Sequence, residues 1–130
     1  MKEFIEKKII NTIKAPAAIG PYSQAITVNK FVFVSGQIPF DPETMELVSN
    51  DIGEQTRQCL KNVQTILETS GSDLNKVVKV TIFICDMEQF GKINEVYSEF
   101  FKVNPPARAC VEVSRLPKDV QVEIEVIAHL

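Results

Sequence analysis

The chain has 130 residues, the length of a single domain, and folding at this size buries about two-thirds of the extended chain's surface without a metal or disulfide staple. Lys plus Arg is 14 against 17 for Asp plus Glu, a net charge of −3, so no global field draws the chain to nucleic acid or an anionic membrane. Hydrophobic residues at 45% and charged residues at 24% are those of an ordinary soluble globular protein. Two modest strands are predicted over 8–13 and 25–28, with Pro16, Gly20 and Pro21 punctuating the loop between them. A clearer strand, rich in aromatic and β-branched residues, spans 31–37. Asp51 opens a helix with Glu54 three residues on, a capping-box spacing. Ile52, Cys59, Leu60, Val63, Ile66 and Leu67 give that helix one apolar stripe, and Gly71 ends it. A nearly continuous run of β-formers follows over 77–84. Asp86 with Gln89 repeats the cap logic, and Met87, Phe90, Ile93, Val96, Tyr97 and Phe100 form a second stripe. Pro105 and Pro106 stop this helix, and two strands over 107–113 and 120–128 flank a turn at 116–119. The order predicts an α+β fold in one domain, a single mixed sheet with two helices packed on one face.

Side chains alternate across a strand, so parity predicts a second face. In the last strand Val120, Val122, Ile124, Val126 and Ala128 face the helices, leaving Gln121, Glu123 and Glu125 opposite. Assigning Ala107, Ala109, Val111 and Val113 to the core puts Arg108, Cys110 and Glu112 on that second face. Val32, Val34 and Gly36 are assigned inward, with Phe31, Phe33, Ser35 and Gln37 outward. Val78, Val80, Ile82 and Ile84 are assigned inward, with Lys79, Thr81 and Phe83 outward. Two helices cannot cover both sides of a sheet, and bare aromatics among charges mark an interface or a ligand site. The expectation is a homo-oligomer with Ser35, Arg108 and Glu123 in or beside a cleft. A solvated face with cross-strand ion pairs, Arg108 with Glu123 or Glu112, explains the same pattern.

Cysteine and histidine narrow the chemistry. Cys59, Cys85 and Cys110 are odd in number and widely spaced, which fits neither a disulfide framework nor a zinc or dithiol motif. His129 is the single histidine and sits beside the C-terminus, so a triad or multi-histidine metal centre has one residue to draw on. No P-loop or dinucleotide-binding glycine pattern occurs. Carboxylates, Arg, Tyr, Ser, Cys and backbone groups remain, and no cofactor is expected. The first residues lack the apolar core of a secretory signal. The charge-free stretches 15–29 and 31–40 are broken by Pro and Gly and fall short of the ~20 residues a span needs. A cytoplasmic location, without membrane or nucleic-acid partners, is the expectation.

The stretches APAAIGPYSQAI (15–26), FVSGQIP (33–39), DIGEQTRQCL (51–60) and PARACVEVSRLPKDVQVEIEVIA (106–128) together resemble the Rid, or YjgF, family of enamine/imine deaminases. The likeness spans nearly the whole chain. It implies a chorismate-mutase-like fold, a homotrimer, and sites in the clefts between subunits. It also implies hydrolysis of reactive 2-imino or 2-enamino acids to 2-keto acids and ammonia, a form of metabolite damage control. By the same resemblance Arg108 holds the substrate carboxylate, for which a planar guanidinium fork is suited. Glu123 activates water and moves the proton. Ser35 and Gly36 line the pocket, Tyr22 covers it, and the Cys110 backbone lies against the ligand. Asn94 matches a pocket asparagine of the family, yet parity puts its helix behind the sheet, so it reaches a site only at a subunit border. A protein that binds a keto acid without turnover uses the same groups. A ribonuclease or translation-inhibitor role, attributed to some members, sits poorly with the acidic charge.

Overall fold

The computed structural model describes residues 5–130. Its sheet contains β1 (Lys7–Ile10), β2 (Ala25–Val28), β3 (Phe31–Gln37), β4 (Val77–Ile84), β5 (Ala107–Glu112) and β6 (Val122–His129). Two helices, α1 (Ile52–Thr69) and α2 (Phe90–Phe100), complete it. The strand order is β1-β2-β3-β6-β4-β5. Every neighbouring pair is antiparallel except β4 and β5, which are parallel. A parallel pair needs a crossover, and α2 supplies it. β6, last in sequence, lies at the centre. Its inward residues Val122, Ile124, Val126 and Ala128 are buried with Val32, Val34, Val80, Ile82 and Ile84 against the stripe of α1. The expected single mixed sheet with two helices on one face is present. Among the described residues no helix is long and apolar enough to cross a membrane.

Local chemistry sets α1 as the sequence predicts. The Asp51 carboxylate caps its start by accepting from the Glu54 N–H at 3.0 Å. The Glu54 carboxylate does not return the bond; it pairs with Arg57 at 2.7 Å instead. Gly71 has φ +88°, and the N–H groups of Gly71 and Ser72 donate to the carbonyls of Glu68 and Leu67 at 3.1 and 2.8 Å. That is a Schellman end, in which glycine takes the left-handed position. Two buried amides tie the connection between β3 and α1 to the helix. Asn62 Nδ2 donates to the carbonyls of Ile38 and Phe40 at 3.2 and 3.1 Å, and Gln55 Nε2 donates to that of Ser49 at 3.0 Å.

Four expectations need correction. β1 stops at Ile10 rather than running to 13, because the Thr12 N–H turns aside to Gln24 Oε1 at 2.7 Å. In β3 a bulge between Val34 and Gln37 reverses the alternation, so Gln37 is buried and Gly36 faces outward. A second bulge between Val77 and Lys79 does the same in β4: Val77 is buried and Val78 is exposed. The largest correction concerns β5, where both parity sets are exchanged. The register pairs Arg108 with Val80, Cys110 with Ile82 and Glu112 with Ile84, and those partners are core residues. Arg108, Cys110 and Glu112 therefore face the helices, and Ala107, Ala109 and Val111 face away. β5 is an edge strand, and its inward face is covered by the rim of α2. Arg108 fits there because its stem and guanidinium cover apolar rings while the charge stays near water.

Candidate functional site

The bare face of the sheet holds a cleft of about 640 Å³ where β3 and β6 meet three loops. Tyr22, Ser35, Gly36, Lys118, Glu123 and Glu125 line it, with apolar walls from the 38–45 segment. The β3 bulge shapes its floor. Ser35 Oγ donates to the Ser23 carbonyl at 2.6 Å, and the Ser35 N–H donates to that of Gln24 at 3.0 Å. The buried Gln24 amide in turn donates to the carbonyls of Thr12 and Pro16 at 3.0 and 2.8 Å, anchoring the loop that carries Tyr22. The Tyr22 hydroxyl accepts from the Ile19 N–H at 3.3 Å, and the side chain is largely exposed over the cleft. At the rim, Lys118 and Asp119 both have left-handed backbones, φ 58° and 57°. Such a conformation costs a non-glycine residue about 1 kcal/mol. Arg115 braces it, donating to both Asp119 carboxylate oxygens at 2.6 and 3.2 Å.

Glu123 lies against Gly36 so closely that a Cβ there would stand 2.8 Å from the carboxyl carbon and Oε1. Burial raises the Glu123 carboxyl above its ordinary pKa, and the Glu125 charge adds to the rise. A raised carboxyl keeps its proton in the fold at a pH where the unfolded chain has released it. Stability therefore falls as pH climbs through that interval, and ionised Glu123 opposes folding at neutral pH. Glu123→Gln is expected to unfold at a higher temperature than the native protein at pH 7. The difference should vanish on titration to about pH 4, below the ordinary glutamate value. An equal difference at both pH values would contradict this account.

A second polar cluster lies on the other face, at the sheet edge. The Arg108 guanidinium sits over the rings of Tyr97 and Phe90, with centroid distances of 4.6 and 5.2 Å. Its Nη1 donates to Asn94 Oδ1 at 2.8 Å. Among the described residues Arg108 pairs with no carboxylate. The expected alternative, an ion pair with Glu123 or Glu112, is not formed, and Glu112 instead accepts from the Met87 N–H at 2.8 Å. Cys110 packs on the core edge beside this cluster. Burial pushes its thiol pKa up, with only partial relief from Arg108, so little thiolate is available for nucleophilic chemistry.

The candidate residues thus fall into two groups. Tyr22, Ser35, Gly36 and Glu123 share the cleft, while Asn94, Arg108 and Cys110 share the edge. The expectation that Arg108 and Glu123 occupy one face is overturned, since β4 lies between their strands and their side chains leave opposite sides of the sheet. The same reversal removes the difficulty with Asn94, which lies behind the sheet and meets Arg108 there. Lys118 and Glu125 in the cleft, and Phe90 and Tyr97 under Arg108, are not among the residues the sequence singles out for a site. The spacing of Phe90, Asn94 and Tyr97 along one helix face was the available signal for the second pair.

A bare sheet face with a carboxylate cleft, and a guanidinium held at the edge of the same sheet, define a small α+β protein built on one mixed sheet. Residues 12–130 match the family model described as Endoribonuclease L-PSP, and the chain belongs to that family, which takes in the YjgF, Rid and RutC proteins. It is 58% identical to a RutC family protein of Pyrococcus abyssi, over 95% of this chain and 97% of that one. It is 48% identical to the 2-iminobutanoate/2-iminopropanoate deaminase of Mus musculus, over 95% of this chain and 92% of that one. Among solved structures, E. coli TdcF with bound serine superposes with a TM-score of 0.91 at 47% identity, covering 95% of this chain and 98% of that chain.

Proposed function

We propose that the protein is a 2-iminobutanoate/2-iminopropanoate deaminase acting as a homotrimer, with each site made by two copies. Asn94, Arg108 and the Cys110 backbone come from one copy, and Tyr22, Ser35, Gly36 and Glu123 come from the next. The observation that carries this reading is Arg108, a guanidinium oriented by Asn94 and two rings and, among the described residues, left without an anionic partner. Its free N–H groups suit both oxygens of a 2-imino acid carboxylate. The exposed Phe31, Phe33, Val78 and Val111 on the bare face supply an apolar surface for a second copy.

Glu123 accepts a proton from water as the oxygen attacks the imine carbon. It returns that proton to the nitrogen, giving a neutral carbinolamine; the hydroxyl proton then passes through Glu123 to the nitrogen, the C–N bond breaks, and the 2-keto acid and ammonia leave. A carboxyl with a raised pKa suits a group that must both take and return a proton. Ser35 and Gly36 shape the pocket floor, and Tyr22 covers it. A keto-acid binder without turnover needs Arg108 but has no use for Glu123 held beside Gly36. The family's endoribonuclease description finds little support here, since the cleft sets two carboxyl groups, Glu123 and Glu125, against the single cation Lys118. The mouse relative's name and the serine held by TdcF support a small amino-acid-derived ligand.

The test couples the protein to a threonine dehydratase and traps the released imine with semicarbazide. The expected result is a lower semicarbazone yield as the protein is added. A yield that stays unchanged at stoichiometric protein would overturn deamination and favour binding alone.

A further inference from the structure

We infer that Tyr97, together with Phe90, is a positioning residue, its ring face rather than its hydroxyl setting the plane in which the Arg108 guanidinium meets a carboxylate. The inference rests on the proposed reading of Arg108 as the group that holds the substrate.

Arg108 lies on an edge strand, where a long side chain has many rotamers to lose on ordering. Three contacts limit it. Asn94 Oδ1 takes one N–H at 2.8 Å, and the Tyr97 and Phe90 rings take the guanidinium at 4.6 and 5.2 Å from their centroids. A single hydrogen bond leaves rotation about the bonded nitrogen, and ring faces remove it. Tyr97 is itself held rigidly. It is 5% exposed, on the buried stripe of α2, and its ring packs on Phe101 at 4.7 Å with a 35° tilt. Among the described residues its buried hydroxyl has no hydrogen-bond partner, so it contributes no bond that could orient Arg108. Burial also raises its pKa against the opposing effect of Arg108, so the group stays neutral and offers the cation no charge. The ring face remains as the orienting element.

Cation–π contacts of this kind are worth about two- to fivefold in an equilibrium at partly exposed sites. The experiment measures 2-oxobutanoate binding by calorimetry for the native protein, Arg108→Ala, Tyr97→Leu and Tyr97→Phe. Tyr97→Leu is expected to raise Kd about fivefold, with Tyr97→Phe close to native. In turnover, Tyr97→Leu raises KM with kcat little changed, because carboxylate holding is shared by ground and transition states. Tyr97→Phe should also unfold no earlier than the native protein, since it removes an unpaired buried hydroxyl. Should Tyr97→Leu fail to fold, Phe90→Leu, at a partly buried ring, carries the expectation of a roughly twofold rise. Native-like binding by Tyr97→Leu beside a non-binding Arg108→Ala would overturn the inference alone, and so would an equal loss in Tyr97→Phe and Tyr97→Leu. Native-like binding by Arg108→Ala would remove the functional reading, and the inference with it.

Discussion

Arg108→Ala and Glu123→Gln proteins, each inactive alone, are expected to regain activity when denatured together and refolded as a mixture. The two groups leave opposite faces of one sheet, so no single chain can bring them to one substrate; a junction between copies can. Loss of the guanidinium removes the proposed contact with the substrate carboxylate, worth about 2–5 kcal/mol, which predicts a fall of roughly 30- to 5,000-fold in kcat/KM. Loss of the carboxylate removes an acid–base group worth about 10²–10⁴-fold. In the mixture, an Arg108→Ala chain still carries Glu123, and a Glu123→Gln chain still carries Arg108. Random association puts an intact pair across about one junction in four, so roughly a quarter of native activity should return. The semicarbazide trap reads the activity, and light scattering confirms that each variant assembles as the native protein does. A mixture as inactive as its parents, in assemblies of native size, would show that the two groups do not share a site.

The predicted elements survive best where the determinants are local or the strand is central. Asp51 and Gly71 mark the ends of α1 because capping uses residues within one turn. β6 declares its faces because it has neighbours on both sides and a core beneath it, so its inward residues are uniformly apolar. Parity misleads in β5 because it is an edge strand in which one residue set is small and apolar and the other carries the charges. Ala107, Ala109 and Val111 look like core, but an edge strand need not bury its small set, and the helix rim over it accommodates an arginine. The bulges near Gly36 and Val78 are single-residue slips in pairing. Each reverses which side chains face inward, and only long-range register reveals them. For the candidate site, the residue types were legible from the motif stretches, whereas their division into two clusters was not. That division depends on the reversed face of β5, which in turn depends on its parallel pairing with β4.

Gly36→Ala is expected to lower activity roughly 10²-fold while leaving the fold close to native stability, since displacing a reacting group by about 1 Å suffices for such a loss. The backbone at Gly36 is not in the left-handed region, so alanine imposes no conformational strain there. The conflict is steric alone: the new methyl would lie 2.8 Å from the Glu123 carboxyl carbon and Oε1, and 3.1 Å from Cγ. Carbon and oxygen do not tolerate that approach, and one side must move. The floor is fixed by the Ser35 bonds to Ser23 and Gln24, whereas the carboxyl ends a rotatable side chain on the cleft wall. Glu123 therefore yields, and the group proposed to activate water turns away from the floor. The double variant Gly36→Ala with Glu123→Gln should be no slower than Glu123→Gln alone, because both changes act through one carboxylate and their effects do not add. Turnover in the trapping assay and thermal unfolding check the two halves of the expectation. Native turnover by Gly36→Ala, or a double variant much slower than Glu123→Gln, would mean that the contact between Gly36 and Glu123 has no part in the chemistry.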